Sequence, residues 1–446
     1  MRVNTIFVRF RNAAMLLAVF MMFAVPVVDV PSASAKPREV KVKRDGDPLA
    51  PEIENSFAYL FELIHNRGGA FDPSRVAPMI DFVDNCDESP KDLEPKRRGG
   101  RGAILRMDIN CGLERVLKYL YNPDIPNYVI VPSVLRLSGW EKGSDILSLK
   151  EGLWDSLGAL DQPVLLWGKE FESNTPDSFA GAYYLYDLNR LVILLKHNGK
   201  NVLISVTDQD GESDVGRKGA IVNDATWTYF YSGIEGLDRG LLSWMDTYMY
   251  SSCSIQVFVE KDNGHTRDVL FKWLKAGWSG LNVVMRKHIY EGAVRFSESF
   301  KAVLESDRLP PSEELASMVR GIEAMPEDIV NDKIRVYART FELMNKNAEV
   351  LKKKEFAKVL QDGGYANVLN HRERVGVLVL QKLKCLLGMK TYVDMCGLDV
   401  ESAAADQSVE QPATPSTEQP VIEPAEQTAE PSAPAASVEE EAPIGG

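Results

Sequence analysis

Residues 225–260 read ATWTYFYSGIEGLDRGLLSWMDTYMYSSCSIQVFVE, and the fold turns on how this stretch alternates. Strand side chains point to opposite faces with a period of two. Trp227, Tyr229 and Tyr231 therefore share one face, and Thr228, Phe230 and Ser232 the other. Gly233, Gly236 and Gly240 interrupt the pattern, and 237–246 reads as a crossover. From Tyr248 the alternation resumes. Met249, Ser251, Cys253, Ile255, Val257 and Val259 fall on one face, with Tyr248, Tyr250, Ser252, Ser254, Gln256 and Phe258 on the other.

Working outward, 164–171, 182–186, 190–197 and 201–207 are strand-like. Asn198-Gly199 joins the last two as a hairpin, because a type I′ turn needs positive φ at both central residues. Asn263-Gly264 closes a second hairpin that returns through Val269, Phe271 and Trp273. Gly277-Trp278-Ser279-Gly280 ends the sheet, and a long amphipathic helix is predicted over 281–306. Upstream, Ile53, Phe57, Leu60 and Ile64 mark a helix, Gly-rich residues 86–102 read as a solvated loop, and 128–137 is strand-like but broken by Pro132. Downstream of Pro310-Pro311, stripes through Val330, Ile334, Tyr337 and Phe341, and through Val375, Leu378, Val379 and Leu383, predict helices. The fold class expected is α+β: a curved antiparallel sheet of about six to eight strands packed by a long helix, followed by a helical region. The domain reading is signal 1–35, leader 36–51, sheet domain 52–306, helical region 307–400 and tail 401–446.

The ends carry the address. Arg2, Arg9 and Arg11, the apolar run 13–28 and Ala33-Ser34-Ala35 have the form of a cleavable export signal, which implies a periplasmic or secreted protein with no membrane span in the mature chain. Residues 401–446 hold ten acidic and no basic residues and too few large apolar ones to offset ordering entropy, so they are expected to be disordered. The net charge of −13 falls mostly in that tail, and the mildly acidic remainder argues against non-specific nucleic-acid binding, which needs a basic face. In an oxidising compartment the five cysteines read as two local disulfides, Cys86–Cys111 and Cys385–Cys396, with Cys253 left as a buried thiol. The alternative is five small buried hydrophobes.

Chemistry-bearing motifs are sparse. Asp208-Gln209-Asp210-Gly211 carries oxygen ligands at alternate positions but lacks the glycine and glutamate spacing of a calcium loop. With His197 or His265, both beside hairpin turns, Asp208 and Asp210 could serve a metal-assisted hydrolase. Ser251-Ser252-Cys253-Ser254 lies mid-strand without an assignable base. No zincin, Walker or GxGxxG pattern is present.

That leaves the aromatic ribbons. A curved antiparallel sheet followed by a long helix is similar, in its order of elements, to the helix-grip arrangement of START-like lipid binders. That resemblance implies a carrier of a lipid or other amphiphile, with no catalytic residues and no cofactor. Trp227, Tyr229, Tyr231, Tyr248 and Tyr250 would line the cavity and the long helix would cover it. A structural or assembly protein with an envelope partner is the third class.

Overall fold

The computed structural model describes residues 49–86, 92–239, 242–262 and 264–397. The expected signal, nearly all of the leader, Asn263 and the acidic tail lie outside the described residues. Helices α1 (Pro51–Leu63) and α2 (Ala77–Asn85) come first, then strands β1 (Asp92–Arg97) and β2 (Gly100–Ile109). Helices α3 (Leu113–Leu120) and α4 (Asn127–Ile130) precede β3 (Leu135–Trp140), β4 (Val164–Asn174), β5 (Ala182–Tyr183), β6 (Leu185–His197) and β7 (Lys200–Gln209). The quoted stretch and its surroundings form β8 (Arg217–Asn223), β9 (Thr228–Glu235), β10 (Leu237–Arg239), β11 (Leu242–Met245), β12 (Tyr248–Asp262) and β13 (His265–Gly277). Helices α5 (Arg286–Leu304), α6 (Ser312–Glu323), α7 (Glu327–Asn345), α8 (Lys354–Leu360), α9 (Tyr365–Val368) and α10 (His371–Leu386) follow.

Eight strands build one antiparallel sheet in the order β1-β2-β13-β12-β7-β6-β4-β3. Both faces of its centre are covered, which is why Leu191–Leu195 is apolar at every position. On one face Ile193, Ile204, Val257 and Phe271 pack with Phe57 and Leu60 of α1 and with Ile80 of α2. On the other, Val192, Leu194, Leu203 and Phe258 join a cluster that runs through α3, Phe300 of α5 and the helices beyond it. The Asn198-Gly199 turn adopts the expected conformation, with φ of 49° and 78°.

Several expectations change. Of residues 86–102, expected as a loop, 92–97 and 100–102 belong to the β1–β2 hairpin, and Arg97 lies over the rings of Phe57 and Trp273. Residues 127–130 turn helical directly after Pro126, whose fixed φ suits a first turn. The crossover at 237–246 contains the antiparallel pair β10–β11. The long helix begins at Arg286, because 278–285 first folds back along β13: Val283 donates to the Ala276 carbonyl at 2.9 Å. β9 pairs with β8, in a separate sheet ordered β5-β8-β9. Finally, a register shift between Met249 and Ser251 places Met249 on the face of Ser252, opposite to the simple count, because a bulge inserts one unpaired residue.

The disulfide Cys385–Cys396 is present. The Cys86–Cys111 pairing is not: Cys111 is a buried free thiol in the cluster on one face of the sheet, while Cys86 packs against the cluster on the other.

Candidate functional site

The aromatic residues of β9 are covered by the chain's own cations. Arg136 of β3 lies 3.9 Å from the Tyr231 ring centroid, Tyr183 meets Tyr231 edge-on at 5.2 Å, and Arg136 pairs with Glu373 of α10 at 2.9 Å. Arg295 of α5 grips Asp224 through Nε and Nη2, both at 2.9 Å, and lies over Tyr229, whose hydroxyl donates to the same carboxylate at 2.6 Å. Trp227 closes the preceding turn with φ of 49°, a region bulky residues seldom enter. Its carbonyl accepts from the buried Lys384 ammonium at 3.0 Å. On the opposite side Phe230 packs against Phe356 and Tyr365. Trp227, Tyr229 and Tyr231 are thus buried in the core. Tyr248 and Tyr250 are partly exposed on β12, with rings 6.1 Å apart. None of the five lines either of the two depressions described below.

The metal alternative fares similarly in geometry. Asp208 is buried and accepts from His65 Nε2 at 2.6 Å, with Arg98 on the same oxygen. Asp210 pairs with Lys169 at 2.7 Å. His197 bonds Asp81 at 2.7 Å and His265 bonds Asp262 at 2.8 Å. His197 lies opposite Lys200 at the far end of β7 from Asp208, roughly 27 Å along the strand at its usual rise. Asp262 and His265 lie at that same far end. His197 and His265 are themselves three strand spacings apart, about 14 Å. Among the described residues no group of three or more His, Cys, Asp or Glu side chains is placed to hold a metal ion.

A different pocket lies between the ends of β12 and β13, the 174–184 turn and the first half of α5. Its volume is about 140 Å³, and Tyr184, Met249, Leu274, Ala276 and Val284 line it. The turn is pinned by Asp177, whose carboxylate accepts from the backbone amides of Phe179, Ala180 and Ala182. The return after β13 is pinned by Asn282, which bonds Ala276, Leu274 and Val284, and by Tyr250, which accepts from the Gly280 amide at 2.8 Å. Gly277 permits that return, since a Cβ there would meet the Leu281 carbonyl oxygen at 2.2 Å. On the helix side Gly292 lines the pocket, and a Cβ built on it would meet nothing within 4 Å. Phe179, Leu281 and Met285 are exposed close by in the same segments.

The polar groups here are largely committed. His288 stacks on Phe179 at 4.4 Å. Burial pulls its imidazole below the usual value, and Nδ1 accepts from the Met285 amide, so the neutral ring carries its proton on Nε2. Tyr184 and Thr247 share a long hydrogen bond of 3.4 Å. A larger, more open depression of about 540 Å³ beside Trp140, Phe171 and Arg372 is flanked by Glu141, Lys142 and Asp187 and offers less enclosure.

On the same sheet face as Met249 and Leu274, one residue row is polar from strand to strand: Arg190, Thr207, Ser254 and Lys272 are direct cross-strand partners. Arg190 donates to Glu170 at 2.7 Å and to Ser205 at 2.9 Å. Glu172 completes the group, accepting from the Tyr186 hydroxyl at 2.9 Å. Burial pushes the Glu170 carboxyl up to about 7 against the pull of Arg190.

Period-two counting missed the pocket because its wall comes from a bulge, a turn and a helix. The signal that could have found it is Gly292, an isolated glycine inside a helical pattern. No protein-family model matches the chain, and no curated protein sequence matches it. No described helix is long and apolar enough to cross a membrane.

Proposed function

We propose that this is an exported, non-catalytic binding protein that seats an apolar group, or the apolar end of an amphiphile, between the end of β13 and the start of α5. In this reading the large sheet curves toward α5 and the helix closes the open side. The observation that carries it is an apolar-lined cavity facing a helical glycine whose missing side chain leaves the space open. A cavity of about 150 Å³ accepts a benzene-sized guest, so the occupant is an aromatic ring or branched alkyl end rather than a whole lipid tail. Exposed Phe179, Leu281 and Met285 offer contact for the remainder. The Cys385–Cys396 disulfide supports an oxidising compartment, the periplasm or the cell exterior.

The test uses 3-phenyl-1-propanol as probe, with wild-type protein and Gly292→Leu. The wild type is expected to gain about 1.4 kcal/mol at a tenfold excess over Kd. The variant should lose that response while melting no lower, because leucine exceeds glycine in a helix by ~0.8 kcal/mol. An equal response in both proteins, or none in the wild type, removes the reading.

One observation favours the assembly role instead. Ile329, Val336 and Leu343 are 42%, 53% and 68% exposed and recur every seven residues along α7, so they form one apolar stripe. If that stripe joins two copies, the wild type will sediment as a larger species than Val336→Arg at high concentration. Identical sedimentation removes it.

A further inference from the structure

Within the polar row across the sheet, each member but one is spent on the chain itself. Arg190 is held by Glu170, Glu172 and Ser205. Thr207 and Ser254 bond each other at 2.5 Å. Lys272 is partly buried, yet among the described residues its ammonium has no hydrogen-bond or ion-pair partner. The carboxylate it feels most strongly, Glu172, is engaged by Tyr186 and Arg190.

Lys272 leaves β13 on the same face as Leu274, two residues on, which lines the pocket. Same-face neighbours along a strand stand about 7 Å apart, within the reach of a lysine stem. A guest whose ring fills the pocket therefore projects its other end toward this ammonium if it points down β13. A partly desolvated ammonium gains from an anion more than a fully exposed lysine does. Burial indeed pulls Lys272 below the ordinary lysine value, the direction that an incoming anion would reverse.

We propose that the pocket selects aryl or branched-alkyl carboxylates, with Lys272 as the group that binds the carboxylate. The assignment rests on the pocket reading above and adds the chemical class of the guest. Its geometry also sets the ligand's length: a ring or branched end joined to the carboxylate by a short arm, long enough to span from Leu274 to Lys272.

The experiment compares two near-isosteric probes, 3-phenylpropionate and 3-phenyl-1-propanol, by calorimetric titration of the full chain at pH 7. The acid is expected to bind at least about tenfold more tightly than the alcohol, the scale of one charge-assisted hydrogen bond. Lys272→Met should erase that preference while leaving alcohol binding within about twofold, and Lys272→Arg should retain it. Circular dichroism melts of each variant report folding separately. If both probes bind the wild type equally, or Lys272→Met keeps the preference, the carboxylate assignment is overturned and the pocket stands. If neither probe binds the wild type, the pocket reading fails and this assignment falls with it.

Discussion

Replacing Arg136 with alanine is expected to cost about 3–5 kcal/mol of folding stability, the range for removing one partner of a buried ion pair. Its side chain is 7% exposed and that of Glu373 8%. Without the guanidinium, Glu373 keeps a buried charge. Its other oxygen accepts from the Asn370 amide at 2.8 Å, and the Asn370 side chain accepts from the Glu373 amide at 3.0 Å. The start of α10 is therefore loosened with it. The Tyr231 and Tyr183 rings lose the cation between them. Arg136→Met combined with Glu373→Gln removes both charges and should recover most of the loss, since an apolar or neutral replacement of the whole pair is often nearly neutral. Denaturant melts of the single and double variants measure this. A single variant within 1 kcal/mol of wild type would show that the pair contributes little.

Lys384→Met is expected to stabilise the protein at pH 6 and to lose that advantage by pH 10. Lys384 is 1% exposed, and desolvation pulls its ammonium down to about 7. Between that value and the unfolded lysine's, near 10.5, the unfolded chain binds more protons than the folded one, so stability rises with pH across this window. Below pH 7 the folded state holds the charge and the full penalty, on the order of 5 kcal/mol. Against it stands the bond to the Trp227 carbonyl, whose loss costs about 1–3 kcal/mol. The variant should thus gain about 3 kcal/mol at pH 6 and sit at or below wild type at pH 10. Parallel pH profiles for the two proteins would refute the account.

How far the candidate site could be read from the sequence depends on which residues are considered. Gly292 was visible as an interruption in a helical stripe. Lys272 was visible only as one even-numbered position of a strand, with nothing to set it apart from Lys275. Its distinction is that Arg190, Thr207 and Ser254, brought alongside by strand pairing, satisfy their own polar groups and leave it over. Asp208 shows the reverse case. It read as a candidate metal ligand, but strand pairing buries it against Cys253, with His65 and Arg98 on its carboxylate.

Local sequence determined what local forces control. The Asn198-Gly199 turn follows from positive φ at two residues, the stripes of α7 and α10 from helical periodicity, and the Cys385–Cys396 bridge from a short separation. The tertiary structure alone decided what covers each strand. Alternation says that Tyr229 and Tyr231 share a face, but not that Arg295 and Arg136 arrive from α5 and β3 to occupy it. A bulge at one residue carried Met249 to the pocket side, a shift that period-two counting has no means to register. Packing partners distant in sequence set these outcomes, because burial and charge pairing act through space and leave no fixed spacing along the chain.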